Sequence, residues 1–490
     1  MGRAKEWLLE QEARGWWSVP DKYVCTKCFD DECLKQVIRD NLNAPRCDYC
    51  GSNSEEVTGE ENELIAAPVD MVIEVIAEGR RSEWNTADDE GIPYESAEGG
   101  YQANTLDSYD FVWDYVCPNN EALAEDLIEA LGDQVWVERN YWSLSQDQAL
   151  WYGWEKFCGI VKHQNRYMFH LIGRKPSSVP SATLDHSNNS THAVAKSESA
   201  ESVSATPASD QDAMETELPA QSAPNNSDMP DFQDAMLEAQ EGVSASRMLA
   251  AIGEAIEEGG LLRTLPQSTK LFRGRVGPAN RPYRSAENLG PPPPRKATAS
   301  RMSPAGIPMF YGALDEHTAI AETVQGRLQK GKIINIGAFL TRAEFLVVDL
   351  TALMPIPSLF SDKRYLRPTL RFLHSFVRDL SKSIKKDGRE HIEYVPTQIV
   401  TEYFRHAHQS RGGQPVRGIL YPSARARGGT SCVLFFTKEE CTPQNKDSVE
   451  SCAQRWLDFV RGSAMTFKRK PRRPKTLVEL GLPHGSPLSR

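Results

Sequence analysis

The sequence lacks the long apolar runs of a membrane protein. Nowhere in its 490 residues do about 18 uncharged apolar residues follow one another, and the segment 345–357 is interrupted by Asp349. The first residues, MGRAKEWLLEQEARGWW, mix charges with apolar side chains and therefore lack the apolar core of a secretion signal. We expect a soluble cytoplasmic protein that makes no membrane contact.

Cysteines are too scarce for a disulfide framework, since there are 10 in 490 residues, yet five of them fall between positions 25 and 50. Cys25 and Cys28 form one C-x2-C pair, and Cys47 and Cys50 form a second, with 18 residues between the pairs. Four thiolates at this spacing predict a structural, tetrahedral zinc site. Cys33 fits neither pair and is interpreted as a spare thiol.

Basic residues are nearly absent from one part of the chain. Residues 51–130 carry 21 acidic and 2 basic side chains, whereas residues 263–490 carry 18 acidic and 38 basic ones. One interpretation is that the solvated faces of the two parts simply differ. The other is that the C-terminal half handles an anion such as a nucleotide, phosphate or nucleic acid, which the acidic half shields.

The pattern along the chain predicts a multidomain protein. Residues 120–131 have an Asn start, helical spacing of apolar residues and a Gly stop, and the aromatic segment 141–169 is predicted to pack as helices. Residues 232–258 favour a helix, either a solvated spacer or a docking element. We predict a four-cysteine zinc module at 1–51, an acidic and mainly helical domain at 52–175, a disordered linker at 176–265, an α+β domain at 266–438, and a C-terminal helix and basic tail at 439–490.

The α+β prediction rests on short β-rich runs that are separated by two helical patterns, at 318–328 and 366–384. The runs lie at 270–276, 309–313, 333–340, 345–349, 418–421 and 432–436. The tail segment KRKPRRPK, at 468–475, has six basic residues in eight; it is interpreted as solvated, with a nucleic-acid contact as the alternative.

Four strings of the C-terminal half carry candidate chemistry. In LFRGRVGPANRP, Arg273 and Arg275 lie two apart and therefore on one face of a strand. The others are SRMSPAGIPMFYGALDEHTAIAE, HIEYVPTQIVTEYF with Gln398, and GILYPSARARGGTSCVLFF with Ser423. Each has an ordinary structural explanation when taken singly. Glu322 points away from the apolar stripe of its helix, which fits both a solvated carboxylate and one that faces a cleft.

Together, the order and spacing of Arg273, Arg301, Tyr311, Glu322 and Ser423 resemble the RES-domain family over about residues 268–438. The cysteine module and the acidic region that follows it, which together precede the RES-like region, resemble the HEPN/RES N-terminal domain. The resemblance implies a fold similar to ADP-ribosyltransferases and an enzyme that consumes NAD. The long N-terminal extension and the proline run 291–294 depart from a minimal toxin of this family.

The resemblance also implies residue roles. Arg273 is expected to hold phosphate and to belong to the catalytic set with Glu322, the essential carboxylate, and Ser423. Arg301 and Tyr311 are expected to bind the dinucleotide, with Tyr311 against the nicotinamide. Arg275 competes with Arg273 for the phosphate role.

The expected activity is cleavage of the nicotinamide N-glycosidic bond of NAD by a glycohydrolase or phosphorylase, in a toxin-like or defence setting. NAD is then the substrate, zinc is structural, and an antitoxin or other regulatory protein is a candidate partner. The alternatives are an ADP-ribosyltransferase that modifies a macromolecule, and a nucleic-acid-binding zinc protein with an inactive RES domain.

Overall fold

The structure, a computed structural model, describes most of the chain in segments that two long gaps divide. The described residues are 14–54, 63–171, 240–324, 328–382, 384, 387–441 and 455–468. Residues 176–239 of the predicted linker and the basic tail beyond Lys468 lie outside them. Residues 240–265 of that linker are described, and they form a helix and a strand rather than a disordered segment. The segments before and after the gap at 172–239 belong to one compact unit.

The N-terminal part combines helices with short strand pairs. Its helices are α1 (Glu32–Asp40), α2 (Val69–Glu83), α3 (Ser108–Phe111), α4 (Glu121–Leu131) and α5 (Gln146–His163). Its strands pair as β1 (Tyr23–Cys25) with β2 (Ala66–Pro68), β3 (Trp84–Thr86) with β6 (Trp136–Glu138), and β4 (Tyr94–Glu95) with β5 (Gly100–Tyr101). The predicted helix at 120–131 is confirmed, because the Asn120 side chain caps α4 and Gly132 ends it.

The cysteine segment is not a separate folding unit. Cys25, Cys28 and Cys47 lie in the same hydrophobic core as the buried side chains of α2 and α4, and β1 pairs with β2, which lies beyond the predicted boundary at residue 51. The segment alone buries too little apolar surface to fold, so its core continues into the helices that follow it.

The C-terminal part is built around one mixed sheet in the described residues. The strands are β7 (Leu262–Leu265), β8 (Lys270–Pro278), β9 (Phe310–Ala313), β10 (Lys332–Thr341), β11 (Phe345–Asp349), β12 (Val416–Pro422), β13 (Thr430–Leu434), β14 (Leu457–Phe459) and β15 (Met465–Phe467). Their order is β14-β10-β8-β9-β13-β12-β11-β7, with β15 also on β10, and only β11 and β12 run parallel. All six predicted β-rich runs fall on strands of this sheet.

Helices cover the sheet and close the core. They are α6 (Met248–Glu258), α7 (Ala286–Leu289), α8 (Glu316–Thr323), α9 (Arg367–Ser381), α10 (Glu390–Glu393) and α11 (Val395–His406). One hydrophobic cluster joins α5 and α6 to α9, α11 and the sheet. The described part of the predicted helix at 232–258 is therefore a docking element and not a solvated spacer. The predicted C-terminal helix is absent from the described residues after 438, which form β14 and β15 instead.

The N-terminal part contacts α9 and the loop before it through ion pairs and through close packing. Glu83 of α2 accepts hydrogen bonds from Arg367 at 2.6 Å and from Arg371 at 3.0 Å. Phe360, in the loop before α9, packs directly on Gly79 of α2, where a Cβ atom would lie 2.8 Å from its ring. The basic part therefore does meet the acidic part, at the N-terminal end of α9. Within the described segments, no helix is long and apolar enough to cross a bilayer.

This close approach predicts an unusual response to alanine. Gly79→Ala should destabilise the protein by about 1–3 kcal/mol because the new methyl group overlaps the Phe360 ring. Gly159→Ala in α5 is the matched control, because nothing lies within 4 Å of its added Cβ. There, the better helix propensity of alanine should raise or preserve stability. Thermal unfolding of both variants tests the contact, and an equal gain in the two melting temperatures would contradict it.

Candidate functional site

The cysteine cluster has the geometry of a metal site. The Sγ atoms of Cys25, Cys28, Cys47 and Cys50 all lie within 4.8 Å of one another. The Cys25–Cys50 and Cys28–Cys47 sulfur distances are 3.5 and 3.6 Å. Tetrahedral zinc with Zn–S bonds of about 2.3 Å places its sulfurs about 3.8 Å apart, so the four thiols fit such an ion. Hydrogen bonding to Cys25 and Cys47, together with burial, raises the pKa of Cys28, and a bound cation would reverse this.

A cleft opens where strands β8 and β9 separate. The two strands share a single residue pair, Phe272 with Ala313. Beyond it, Arg273 and Arg275 of β8 and Tyr311 of β9 line a cleft of about 300 Å³. The remaining lining is mostly proline, aliphatic and small polar side chains: Pro292, Pro293, Lys296, Ala297, Thr298, Ser300, Ser303, Ile307, Pro308 and Met309.

The arginines of the cleft carry charge that nothing neutralises. Arg273 is buried, its Nη1 donates to the Tyr311 carbonyl at 2.8 Å, and its Nε has no partner. Burial, and then the charge of Arg275, lowers the pKa of Arg273 to about 9. In the part of the chain that the structure describes, neither arginine forms an ion pair with a carboxylate. Two unpaired cations in a cleft favour an anionic ligand.

Tyr311 is held by a loop that α11 fixes in place. Its hydroxyl hydrogen-bonds with the hydroxyls of Ser300 and of Ser303, the latter at 2.9 Å. Gln398 of α11, which is nearly buried, donates from Nε2 to the carbonyls of Ser300 at 2.7 Å and Ser303 at 3.2 Å. Burial raises the pKa of Tyr311, so its hydroxyl is a neutral group at physiological pH.

Glu322 and Ser423 meet directly, although 101 positions separate them. The Ser423 hydroxyl donates to Glu322 Oε1 and accepts the backbone N–H groups of Arg425 at 3.2 Å and Ala426 at 3.0 Å. Because these two donors occupy its lone pairs, the serine proton points to the carboxylate. Arg425 Nε lies 3.7 Å from Glu322 Oε2, and both side chains remain about one-third exposed.

Glycines bring this pair close to the arginine strand. A Cβ on Gly274, which lies between Arg273 and Arg275, would fall 2.0 Å from Thr323 Oγ1, the residue after Glu322. A Cβ on Gly429 would likewise fall 2.1 Å from Thr318 Oγ1 of α8. Helix α8 therefore sits against both the arginine strand and the loop that carries Ser423.

Arg301 lies apart from the cleft. Its guanidinium donates to the carbonyls of Leu380 at 2.5 Å and Lys382 at 2.7 Å, at the C-terminal end of α9. This is a favourable place for a cation, since helix carbonyls there lack partners. The structure thus brings Arg273 and Tyr311 together, and Glu322 and Ser423 together. Arg301 does not line the cleft, although it interacts electrostatically with Tyr421, as Tyr311 and Glu322 do.

Several residues of the site were missed by the sequence interpretation. Lys296, Ser300 and Ser303 line the cleft, and Arg425 reaches Glu322. Tyr421 interacts electrostatically with both Tyr311 and Glu322, and burial raises its pKa well above the usual value. Its place two residues before Ser423, at the end of a strand, was the available signal, because alternate residues share a strand face.

Two family models match separate parts of the chain. The RES domain family model matches residues 273–456, and the HEPN/RES N-terminal domain 1 model matches residues 40–175. The chain therefore carries a RES domain, which follows a HEPN/RES N-terminal region. RES domains are associated with enzymes that use NAD. No curated protein and no solved structure matches the chain.

The cysteine geometry predicts about one zinc ion per chain in protein purified without chelator. Cys28→Ser should lose the metal and destabilise the N-terminal region, because metal binding supplies folding energy there. Cys33→Ser is the control, since Cys33 lies outside the four-sulfur cluster. Elemental analysis and thermal unfolding measure the two effects. Wild-type protein free of zinc, or equal behaviour of the two variants, would contradict the prediction.

Proposed function

We propose that this protein cleaves the N-glycosidic bond between nicotinamide and ribose in NAD. The observation that carries the proposal is the joining of two features within one domain. One is a cleft lined by two arginines that form no ion pair in the described residues, and the other is a carboxylate that a serine hydroxyl orients. Tyr421 links the two features, because it interacts electrostatically with both Tyr311 of the cleft and Glu322.

Glu322 is the proposed catalytic carboxylate. Loss of nicotinamide leaves positive charge on the ribose, and a carboxylate aimed at that carbon stabilises charge that exists only in the transition state. Ser423 fixes the direction of Oε1 through its hydrogen bond. Arg425 Nε, at 3.7 Å from Oε2, is beyond hydrogen-bonding distance, so it leaves the lone pairs of that oxygen able to accept a ribose hydroxyl.

The cleft is the proposed site for the diphosphate and the nicotinamide end of the substrate. Arginine offers paired N–H groups that match phosphate oxygens, and both Arg273 and Arg275 line the cleft. Tyr311 provides an aromatic edge at the same cleft. The four cysteines, which lie in a different core, would hold zinc as a structural ion.

The acceptor of ADP-ribose in this proposal is water or phosphate. There are two competing proposals: transfer of ADP-ribose to a macromolecule, and an inactive domain that binds nucleic acid. The experiment below distinguishes them from the leading proposal. A toxin-like role with a regulatory partner follows from the activity, since unrestrained loss of NAD would halt growth of the host cell.

The central variant is Glu322→Gln, which preserves the size of the side chain and removes its charge. Nicotinamide release should fall by roughly 100-fold or more while NAD affinity changes by no more than a few-fold. Ser423→Ala should have a smaller effect, since a hydrogen bond to a charged group contributes about 2 kcal/mol. Glu316→Gln, at the start of the same helix, is the matched control and should behave as wild type.

Normal turnover by Glu322→Gln would refute the assignment of the carboxylate. The products separate the acceptors: ADP-ribose indicates water, its phosphorylated form indicates phosphate, and a labelled protein or nucleic acid indicates transfer. Absence of nicotinamide release, with salt-dependent binding of nucleic acid, would support the inactive-domain alternative.

Arg273 and Arg301 should respond differently to removal of their charge. Arg273→Met should raise KM for NAD by tenfold or more, on the order of one lost charge-assisted contact, with a smaller change in kcat. Arg301→Met should instead loosen the loop that holds Tyr311, because its contacts are to the carbonyls of α9. Steady-state kinetics and thermal unfolding of both variants separate the effects. A KM effect confined to Arg301→Met would contradict this assignment.

A further inference from the structure

A proline-rich segment forms one wall of the arginine cleft. The proline run 291–294 is not one of the positions on which the family resemblance rests, yet Pro292, Pro293 and Lys296 all line the cleft. The wall therefore adds to the site residues other than the Arg, Tyr, Glu and Ser of that resemblance.

The wall is stiff. Each proline fixes its own φ angle, and the run ends in a 3-10 turn, Pro294–Lys296, in which the Lys296 N–H donates to the Pro293 carbonyl at 2.9 Å. At its start, Leu289 is fully buried in the core. At its end, the Ala297 carbonyl accepts the Gly306 N–H at 2.9 Å, which joins the wall to the loop that carries Ser300 and Ser303.

Lys296 adds a third cation to this cleft. In the described residues it forms no ion pair, and neither do Arg273 and Arg275, so three positive side chains face a space of about 300 Å³ without a carboxylate. Arg295 is its neighbour, also basic and exposed, but Arg295 does not line the cleft. Two adjacent basic residues therefore differ in position, since Lys296 lines the cleft and Arg295 does not.

We propose that Lys296 binds substrate phosphate and that, with Arg273 and Arg275, it makes the cleft a diphosphate site. The ligand class is a nucleotide whose two phosphoryl groups are joined, as in a dinucleotide. The identity of that nucleotide as NAD rests on the proposed function, whereas the recognition of a diphosphate does not.

Charge favours a diphosphate over a single phosphate, because three cations line the cleft. Arg273 is anchored by its bond to the Tyr311 carbonyl and serves one phosphoryl group. Lys296 lines the same cleft and carries its ammonium on a flexible stem, so it can serve the second. Because the wall is already ordered, ligand binding does not have to order it.

The test is equilibrium titration of the full-length protein with inorganic pyrophosphate, ADP-ribose and orthophosphate. Lys296→Ala should weaken pyrophosphate and ADP-ribose binding by about tenfold, the loss of one charge-assisted contact, and should weaken orthophosphate binding less. Lys296→Arg should retain most of the affinity. Arg295→Ala, the matched control, should stay within about twofold of wild type, since only nonspecific screening changes.

Equal affinities for Lys296→Ala and Arg295→Ala would overturn the inference, as would wild-type protein that does not bind pyrophosphate. The outcomes also separate the two proposals. Lysine-dependent pyrophosphate binding by a protein that leaves NAD intact supports the diphosphate site and removes NAD cleavage. Cleavage of NAD with unchanged binding by Lys296→Ala removes only the role of Lys296.

Discussion

Two positive charges that share a cleft, with no counterion in the described residues, are the constraint around which the C-terminal domain is built. Arg273 is buried beside Arg275, and like charges at short range in a poorly solvated place are costly. The fold tolerates this because strands β8 and β9 separate there and leave a space that an anion can fill. The proline wall is hydrogen-bonded to the loop that carries Ser300 and Ser303, and helix α8 packs against the arginine strand at Gly274.

Helix α9 links the N-terminal domain to the same region. Its first turns are held by Glu83, and Trp154 of α5 donates to Asp379 near its end at 2.9 Å. The last carbonyls of α9 accept the guanidinium of Arg301, which belongs to the loop around Tyr311. The described acidic residues meet the RES domain along this helix, and none of them lines the cleft. Shielding of the site by the acidic half, one interpretation of the charge pattern, therefore has no contact in the described residues to support it.

Local patterns in the sequence located many of the elements but not the site. Apolar runs located six of the nine strands of the described sheet, and the two C-x2-C pairs located the four-sulfur cluster, because both signals act over a few residues. The orientation of Glu322 was ambiguous, since helical periodicity only excluded the core face. The partner that decides it, Ser423, is 101 positions away. Arg301 turned toward carbonyls of a helix about 80 residues distant, and the proline run proved to be a wall of the cleft.

The most direct measurement of the central claim is proton NMR of NAD incubated with the purified full-length protein, without other enzymes. The account predicts that the signals of NAD decline while those of free nicotinamide grow in equal amount, because the bond to the ribose is broken and nicotinamide is the leaving group. NAD that stays intact under conditions in which the protein is folded and binds pyrophosphate would contradict the claim.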